Sequence, residues 1–75
     1  MKMWRPVPQT WTLRDESLGL SFAMVHPNDD GSGYHGFVWP DPRRENHSLE
    51  IETVRTPDLA MKACEQLLRE QGVEL

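Results

Sequence analysis

Residues 18 to 26 show the clearest alternation in the chain, because large apolar side chains occupy one parity and small side chains the other. The large set comprises Leu18, Leu20, Phe22 and Met24, and the small set comprises Gly19, Ser21, Ala23 and Val25. A period of two residues is typical of a β-strand in a sheet that has one face on the core. The segment therefore predicts a strand with one large apolar face.

Three further segments predict strands. Residues 10–14 and 48–54 alternate polar and apolar positions, and residues 34–39 return from a loop at 27–33 that is dense in turn-forming residues. Two prolines forbid regular helix in residues 1–9, which we expect to form an extended N-terminal arm.

The pairing of the two strands around the loop at 27–33 is a further expectation. We expect His26 to pair with Tyr34, a register that places Met24 opposite Gly36. A shift of one residue would move each side chain to the other face of the sheet, so the register decides which side chains share a surface.

One amphipathic helix is predicted over residues 57–71. Thr56 is a candidate N-cap, Pro57 suits the first helical position, and Gly72 stands where a C-terminal cap belongs. The apolar stripe of this helix comprises Ala60, Ala63, Cys64, Leu67 and Leu68. Its three small residues would let the helix lie close to a sheet.

The order of these elements is β-β-β-β-α. It predicts an α+β fold in which residues 10–55 form a three- to four-stranded antiparallel sheet and one C-terminal helix packs on one face. The whole chain of 75 residues is expected to be a single domain. Both parities of residues 34–39 contain large side chains, so the sequence leaves open which face carries the helix.

Charge and cysteine content bear on the cellular compartment of the protein and on the class of its partners. The net charge is −4 with a single cysteine, which favours a reducing compartment and argues against a generic nucleic-acid binder. The N-terminus lacks the apolar core of a signal peptide, and no apolar run approaches the roughly 20 residues that cross a bilayer. A cytoplasmic protein with no membrane partner is expected.

Two histidines flank the predicted hairpin and are the only candidates for a metal site. His26 and His35, with Asp29 or Asp30, offer the ligand types that zinc prefers. The spacing, with eight residues between the two histidines, matches no metal motif, and strand neighbours meet by accident in any hairpin. We therefore interpret them as polar residues beside a turn and predict no metal and no cofactor.

Catalytic groups are also weighed against structural roles. Cys64 lies on the apolar stripe of the helix, where a thiol behaves as a small buried hydrophobe rather than a nucleophile. Glu50 and Glu52 share one face of a predicted strand, and the solvated side of a half-buried sheet explains them better than paired acid–base catalysis does. No enzymatic activity is predicted.

Aromatic and basic residues supply the candidate binding site: Trp39, Arg43, Arg44, Trp4 and Arg5. Tryptophan and arginine are favoured anchors of protein interfaces, and the same pair can stack bases and contact phosphates. The negative net charge favours a protein partner over nucleic acid. An exposed charged loop beside a core tryptophan is the structural alternative.

The layout resembles small orphan proteins of phages and bacterial mobile elements. The matching pieces are Trp11, the Phe37-Val38-Trp39 strand and the helix pattern Thr56, Ala60, Ala63 and Leu67. The resemblance implies a non-enzymatic accessory or inhibitory protein that binds a host protein. A thin core also makes a homodimer plausible, and a small nucleic-acid-binding domain is the alternative function.

Overall fold

Five β-strands and one α-helix form the fold, described here from a computed structural model. The structure describes residues 2–7, 10–44 and 46–75, with the backbone alone for residues 5–7. The strands are β1 Lys2–Val7, β2 Thr10–Asp15, β3 Leu20–Pro27, β4 Tyr34–Val38 and β5 Leu49–Glu50, and the helix α1 spans Pro57–Glu70. They pair antiparallel in the order β1-β2-β3-β4-β5. The predicted α+β class, an antiparallel sheet with one C-terminal helix, is confirmed.

The sheet gains its additional strand from the predicted N-terminal arm. Residues 2–7 pair with β2 from Lys2 opposite Asp15 to Val7 opposite Thr10. Pro6 lacks a backbone N–H group but is tolerated because β1 is an edge strand. Residues 1, 8 and 9 of the arm lie outside the described residues.

The hairpin of β3 and β4 has a different register from the one expected. His26 pairs with His35 and Met24 pairs with Phe37, one residue away from the predicted partners. The loop closes through a hydrogen bond of 2.8 Å from the Asn28 N–H to the Gly33 carbonyl. This closure adds one residue to the β4 side of the turn, so the prediction that Met24 faces Gly36 is wrong.

A β-bulge interrupts the alternation that the sequence shows in β3. The register between β2 and β3 shifts at Leu13 and Arg14, and the successive residues Phe22 and Ala23 are both buried. A bulge inserts one residue and re-aims its neighbours, which strict alternation cannot represent. The predicted large face is therefore divided, since Phe22 joins the core while Leu18 lies exposed in the turn between β2 and β3.

The helix packs on the small face of the sheet, which answers the question the sequence left open. Ala23, Val25 and Val38 are completely buried on that face. From the helix, Ala60, Cys64 and Leu68 are completely buried against them. Small side chains on both surfaces permit a close approach, as the predicted stripe implied.

Local signals fix both ends of α1. The Thr56 hydroxyl accepts a hydrogen bond of 3.2 Å from the Leu59 N–H, which confirms the predicted N-cap. Gly72 takes a φ of +85°, and the Val73 N–H donates to the Leu68 carbonyl at 2.9 Å. This is the Schellman arrangement that glycine permits. Within the described residues, no helix is long and apolar enough to span a membrane.

A tight turn joins β2 to β3. The buried Asp15 carboxylate accepts hydrogen bonds from the Ser17 hydroxyl at 2.6 Å and the Ser17 N–H at 3.0 Å. The Ser17 hydroxyl bond is the main cause that lowers the pKa of Asp15 below its ordinary value. Gly19 completes the turn with a φ of +66°, a conformation that favours glycine.

Candidate functional site

The surface of the sheet opposite α1 is the candidate site. Side chains that alternate with the buried Ala23, Val25 and Val38 project to this side. They are Met24 and His26 from β3, His35 and Phe37 from β4, and Trp39 directly after β4, and all five are half-buried. We call this set the open face.

Two stacked histidines and a phenylalanine form the centre of the open face. The rings of His26 and His35 lie parallel, with centroids 4.9 Å apart and planes 16° apart. Phe37 meets both rings edge-on, at 6.0 Å from His26 and 5.5 Å from His35. Edge-to-face contacts of this kind stabilise aromatic clusters, so the centre of the face is an aromatic surface.

Asn28 fixes the orientation of His35. Its side-chain amide donates to the Ser32 hydroxyl at 2.8 Å and the Thr53 hydroxyl at 3.2 Å. The amide oxygen of Asn28 is hydrogen-bonded to Nδ1 of His35. Because that oxygen can only accept, Nδ1 carries the proton in this arrangement.

The environment of His26 disfavours positive charge on its ring. Burial, followed by the proximity of His35, lowers the pKa of His26 below its ordinary value of 6.5. Desolvation and a like charge both penalise the imidazolium form. The centre of the open face therefore presents neutral His26 at neutral pH.

The pair does not assemble a metal site within the described residues. No group of three or more histidine, cysteine, aspartate or glutamate side chains there could hold a metal ion. The carboxylate of Asp30 instead accepts a hydrogen bond of 2.9 Å from the Ser32 N–H within the turn. One of the two carboxylates considered as a third zinc ligand is thus engaged in the structure of the loop.

A cleft of about 330 Å³ lies at the end of the open face. It is lined by Gly19, Leu20, Ser21, Met24, Trp39 and Pro42. The Trp39 N–H donates to the Phe22 carbonyl at 2.7 Å, which continues the pairing of β3 and β4 and holds the tryptophan backbone at the cleft. An apolar cleft beside a tryptophan is suited to accept an apolar side chain.

Two arginines follow this cleft in the chain. The Asp41 carboxylate accepts a hydrogen bond of 3.1 Å from the Arg43 N–H and lies 3.7 Å from Nε of Arg44. Both arginine side chains are exposed, and with Asn46 and His47 they line a second hollow of about 410 Å³. Pro42 lines the first cleft and Arg43 the second, so the structure brings Trp39, Arg43 and Arg44 to one end of the sheet.

Trp4 lies on the other side of the sheet. Its indole Nε1 donates to Oε2 of Glu65 on α1 at 2.9 Å, and its ring packs against the core. The sheet therefore separates Trp4 from Trp39. The side chain of Arg5 lies outside the described part of the structure. Of the five residues predicted as a binding site, the structure therefore brings together Trp39, Arg43 and Arg44.

The residues weighed as catalytic groups also lie apart from one another. Cys64 is completely buried, and burial, with a smaller contribution from Glu65, raises the pKa of its thiol to about 12. Glu50 and Glu52 are exposed, and Glu50 pairs with Phe37 at the β5 side of the sheet. A buried thiol with a raised pKa is inert at neutral pH.

The sequence reasoning missed the histidine and phenylalanine centre as a surface. On sequence alone, His26 and His35 are weak metal-ligand candidates or polar residues beside a turn, and Phe37 is part of a strand. His26 alternates with buried residues on β3, and His35 and Phe37 do so on β4. Only the observed register shows that these three side chains lie on the same face.

Comparison of the chain with protein-family models, curated proteins and solved structures finds no significant match. What the chain does must therefore be inferred from the open face and its cleft.

Proposed function

We propose that this chain is a small non-enzymatic interaction module that binds a partner protein across the open face, with the Trp39 cleft as its anchor site. The observation that carries the proposal is a sheet face with five half-buried aromatic, histidine and methionine side chains on the side opposite the helix. Aromatic residues and methionine are enriched at the centres of protein interfaces.

The cleft supports recognition of a side chain rather than of a metabolite. Its volume of about 330 Å³ stands at the lower end of the roughly 300–1,000 Å³ typical of small-molecule sites. Trp39 and Met24 offer apolar contact, and Arg43 and Arg44 extend exposed donors beside it. An apolar anchor with charged groups at its edge is the usual composition of an interface hot spot.

The chemistry of the described residues favours binding over catalysis. The only thiol, that of Cys64, is buried on the side of α1 that faces the sheet, and its pKa is raised. The histidine pair stacks on itself and on Phe37, and its one described side-chain hydrogen bond is to Asn28. The resemblance to phage and mobile-element proteins supports an accessory or inhibitory role against a host protein.

Affinity capture with paired variants tests the proposal. The immobilised chain is incubated with lysate of the source cells, with and without nuclease, and bound proteins are quantified by mass spectrometry. We expect one stoichiometric partner that survives nuclease, is lost with Trp39→Ala and is retained with Leu59→Ala. Leu59 is the matched control because it is 48 % exposed on α1.

Folding of both variants is checked by circular dichroism and thermal unfolding. Equal capture by wild type, Trp39→Ala and Leu59→Ala would contradict the proposal, because the bound protein would then contact another surface.

Nucleic acid is a second candidate ligand, favoured by one observation. The Trp39 cleft and the hollow lined by Arg43 and Arg44 are neighbours along the same loop, and stacking beside arginine is a mode of single-strand binding. The net charge of −4 and the Asp41 carboxylate beside Arg44 oppose it. Oligonucleotide binding that weakens steeply with salt and fails with Arg43→Ala/Arg44→Ala would favour this candidate.

A further inference from the structure

A hollow lined by hydrogen-bond donors adjoins the apolar cleft at Trp39. It is lined by Arg43, Arg44, Asn46 and His47, and none of these four residues is acidic. A guanidinium group only donates hydrogen bonds, and it binds carboxylate or phosphate oxygens with charge assistance. The hollow is therefore suited to an anionic group, next to a cleft that is suited to an apolar one.

Backbone hydrogen bonds hold the loop that carries this hollow. The Arg44 N–H donates to the Asp41 carbonyl at 2.9 Å, and the His47 N–H donates to the Arg44 carbonyl at 3.0 Å. The Asp41 carboxylate accepts from the Arg43 N–H. The backbone of both arginines is thus positioned beside Pro42 before any ligand binds, and their exposed side chains remain accessible to it.

Positive charge borders the cleft from two segments of the chain. Arg43 follows Pro42, which lines the cleft, and a guanidinium nitrogen of Arg14 lies beside Gly19, which also lines it. The ion pairs of the described residues join Lys2 to Asp15, Arg44 to Asp41 and Arg69 to Glu65. Neither Arg14 nor Arg43 is among the cations that these pairs neutralise, so both can contact an acidic ligand.

We propose that the cleft and the adjoining hollow together bind an extended acidic segment of the partner protein. A large apolar side chain of this segment enters the cleft, and carboxylates on either side of it contact Arg43 and Arg14. The inference rests on the proposed function, because it names the chemistry of the segment that occupies the anchor site.

The spacing of the two hollows suits neighbouring residues of one peptide. Pro42 lines the cleft and Arg43 lines the hollow beside it. Successive Cα atoms lie about 3.8 Å apart. An extended peptide advances about 3.3 Å per residue, so an acid within a few positions of the apolar side chain reaches the guanidinium group.

A short acidic segment fits the charge of this chain better than nucleic acid does. Its carboxylates stay within reach of the arginines at one end of the sheet. A nucleic-acid strand carries a phosphate at every nucleotide and would extend along the rest of a chain whose net charge is −4.

Fluorescence anisotropy with labelled synthetic peptides tests the inference on the full chain. The test peptide has a central phenylalanine between glutamates. One control peptide has lysines in place of the glutamates, and the other has alanine in place of the phenylalanine. We expect the test peptide to bind at least about tenfold more tightly than either control, because each control removes one half of the complementarity.

Charge reversal at the hollow provides the protein variants. Arg43→Glu/Arg44→Glu is expected to weaken binding of the test peptide by at least about tenfold and to prefer the lysine peptide. Arg14→Glu should weaken it by about threefold, as a single exposed ion pair does. Circular dichroism establishes that each variant is folded.

The matched control is Arg55→Glu/Lys62→Glu, which changes the net charge by the same amount. Both positions are exposed, Lys62 on α1 and Arg55 after Val54, which pairs with Tyr34 at the end of β4 away from Trp39. This variant is expected to bind the test peptide as the wild type does.

Three results with the peptides would overturn the inference. One is a test peptide that does not bind or binds no better than the lysine peptide. Another is binding that Arg43→Glu/Arg44→Glu retains, and the third is oligothymidylate that binds more tightly than the test peptide. Capture of a partner that is lost with Trp39→Ala but retained with Arg43→Glu/Arg44→Glu would remove the acidic segment and leave the proposed function standing.

Discussion

Gly36 of β4 lies directly against Cys64 of α1, where the helix packs on the sheet. A Cβ atom on Gly36 would lie 2.8 Å from the Cys64 sulfur and 3.0 Å from the Met24 carbonyl oxygen. The distance to the sulfur is shorter than real Cβ contacts, so this close packing of helix on sheet requires a residue without a side chain at position 36. The missing side chain lets α1 lie directly against β4 on the small face.

Gly36→Ala is therefore expected to destabilise the protein by about 1–3 kcal/mol through overpacking. Urea unfolding of the variant measures this change in the free energy of unfolding. Cys64→Ala removes the nearest of the crowded atoms, so the double variant should recover part of the loss. Strictly additive effects of the two substitutions would show that Gly36 and Cys64 are not in contact.

The Cys64 thiol is expected to resist alkylation in the folded protein. It is completely buried, and burial raises its pKa to about 12, so the reactive thiolate is scarce at neutral pH. Labelling with iodoacetamide should be slow without denaturant and fast in concentrated urea. Rapid labelling of the native chain would contradict the burial of the helix stripe.

The Trp4–Glu65 hydrogen bond attaches β1 to the helix. Trp4→Phe keeps an aromatic ring but removes the donor, and we expect a loss of about 1 kcal/mol in the free energy of unfolding. Glu65→Gln retains an acceptor oxygen and should cost less than Glu65→Ala. Equal costs for the two Glu65 variants in urea unfolding would show that the hydrogen bond contributes nothing.

Stability is expected to fall with acidification through the titration of His26. Its folded-state pKa is lowered from 6.5, so the unfolded chain binds more protons between the lowered value and 6.5. The free energy of unfolding therefore rises with pH through that window, and the loss is complete below the folded-state pKa. Urea midpoints between about pH 7 and pH 5 measure the slope.

His26→Gln should flatten this dependence, and His47→Gln should leave it unchanged because His47 is exposed in a loop. The ring of His35 stacks on His26, so removal of His26 also removes the mutual repulsion of the two charged forms. An unchanged slope in His26→Gln would contradict the described environment.

The sequence predicted those features that depend on neighbouring residues. Thr56 and Gly72 end the helix through hydrogen bonds within a few positions, and the apolar stripe identified Cys64 as a core residue. The α+β class followed from the order of these elements. Such features are local, so the sequence of the element itself is sufficient to predict them.

The remaining features depend on pairing between distant segments. The register of β3 and β4 rests on how Asn28 and Gly33 close the loop, and spacing alone did not show the additional residue. The bulge that buries both Phe22 and Ala23 depends on a shift opposite Leu13. The open face follows from both, so the candidate site became visible only once the strands were paired.

The central claim is that the open face is the binding surface of this protein. Carbene footprinting read by mass spectrometry tests it most directly, on the chain alone and on the captured complex. Peptides that cover residues 21–27 and 34–39 should be protected on association, while the exposed side of α1 stays equally labelled. Protection confined to α1, with the open face labelled as before, would contradict the claim.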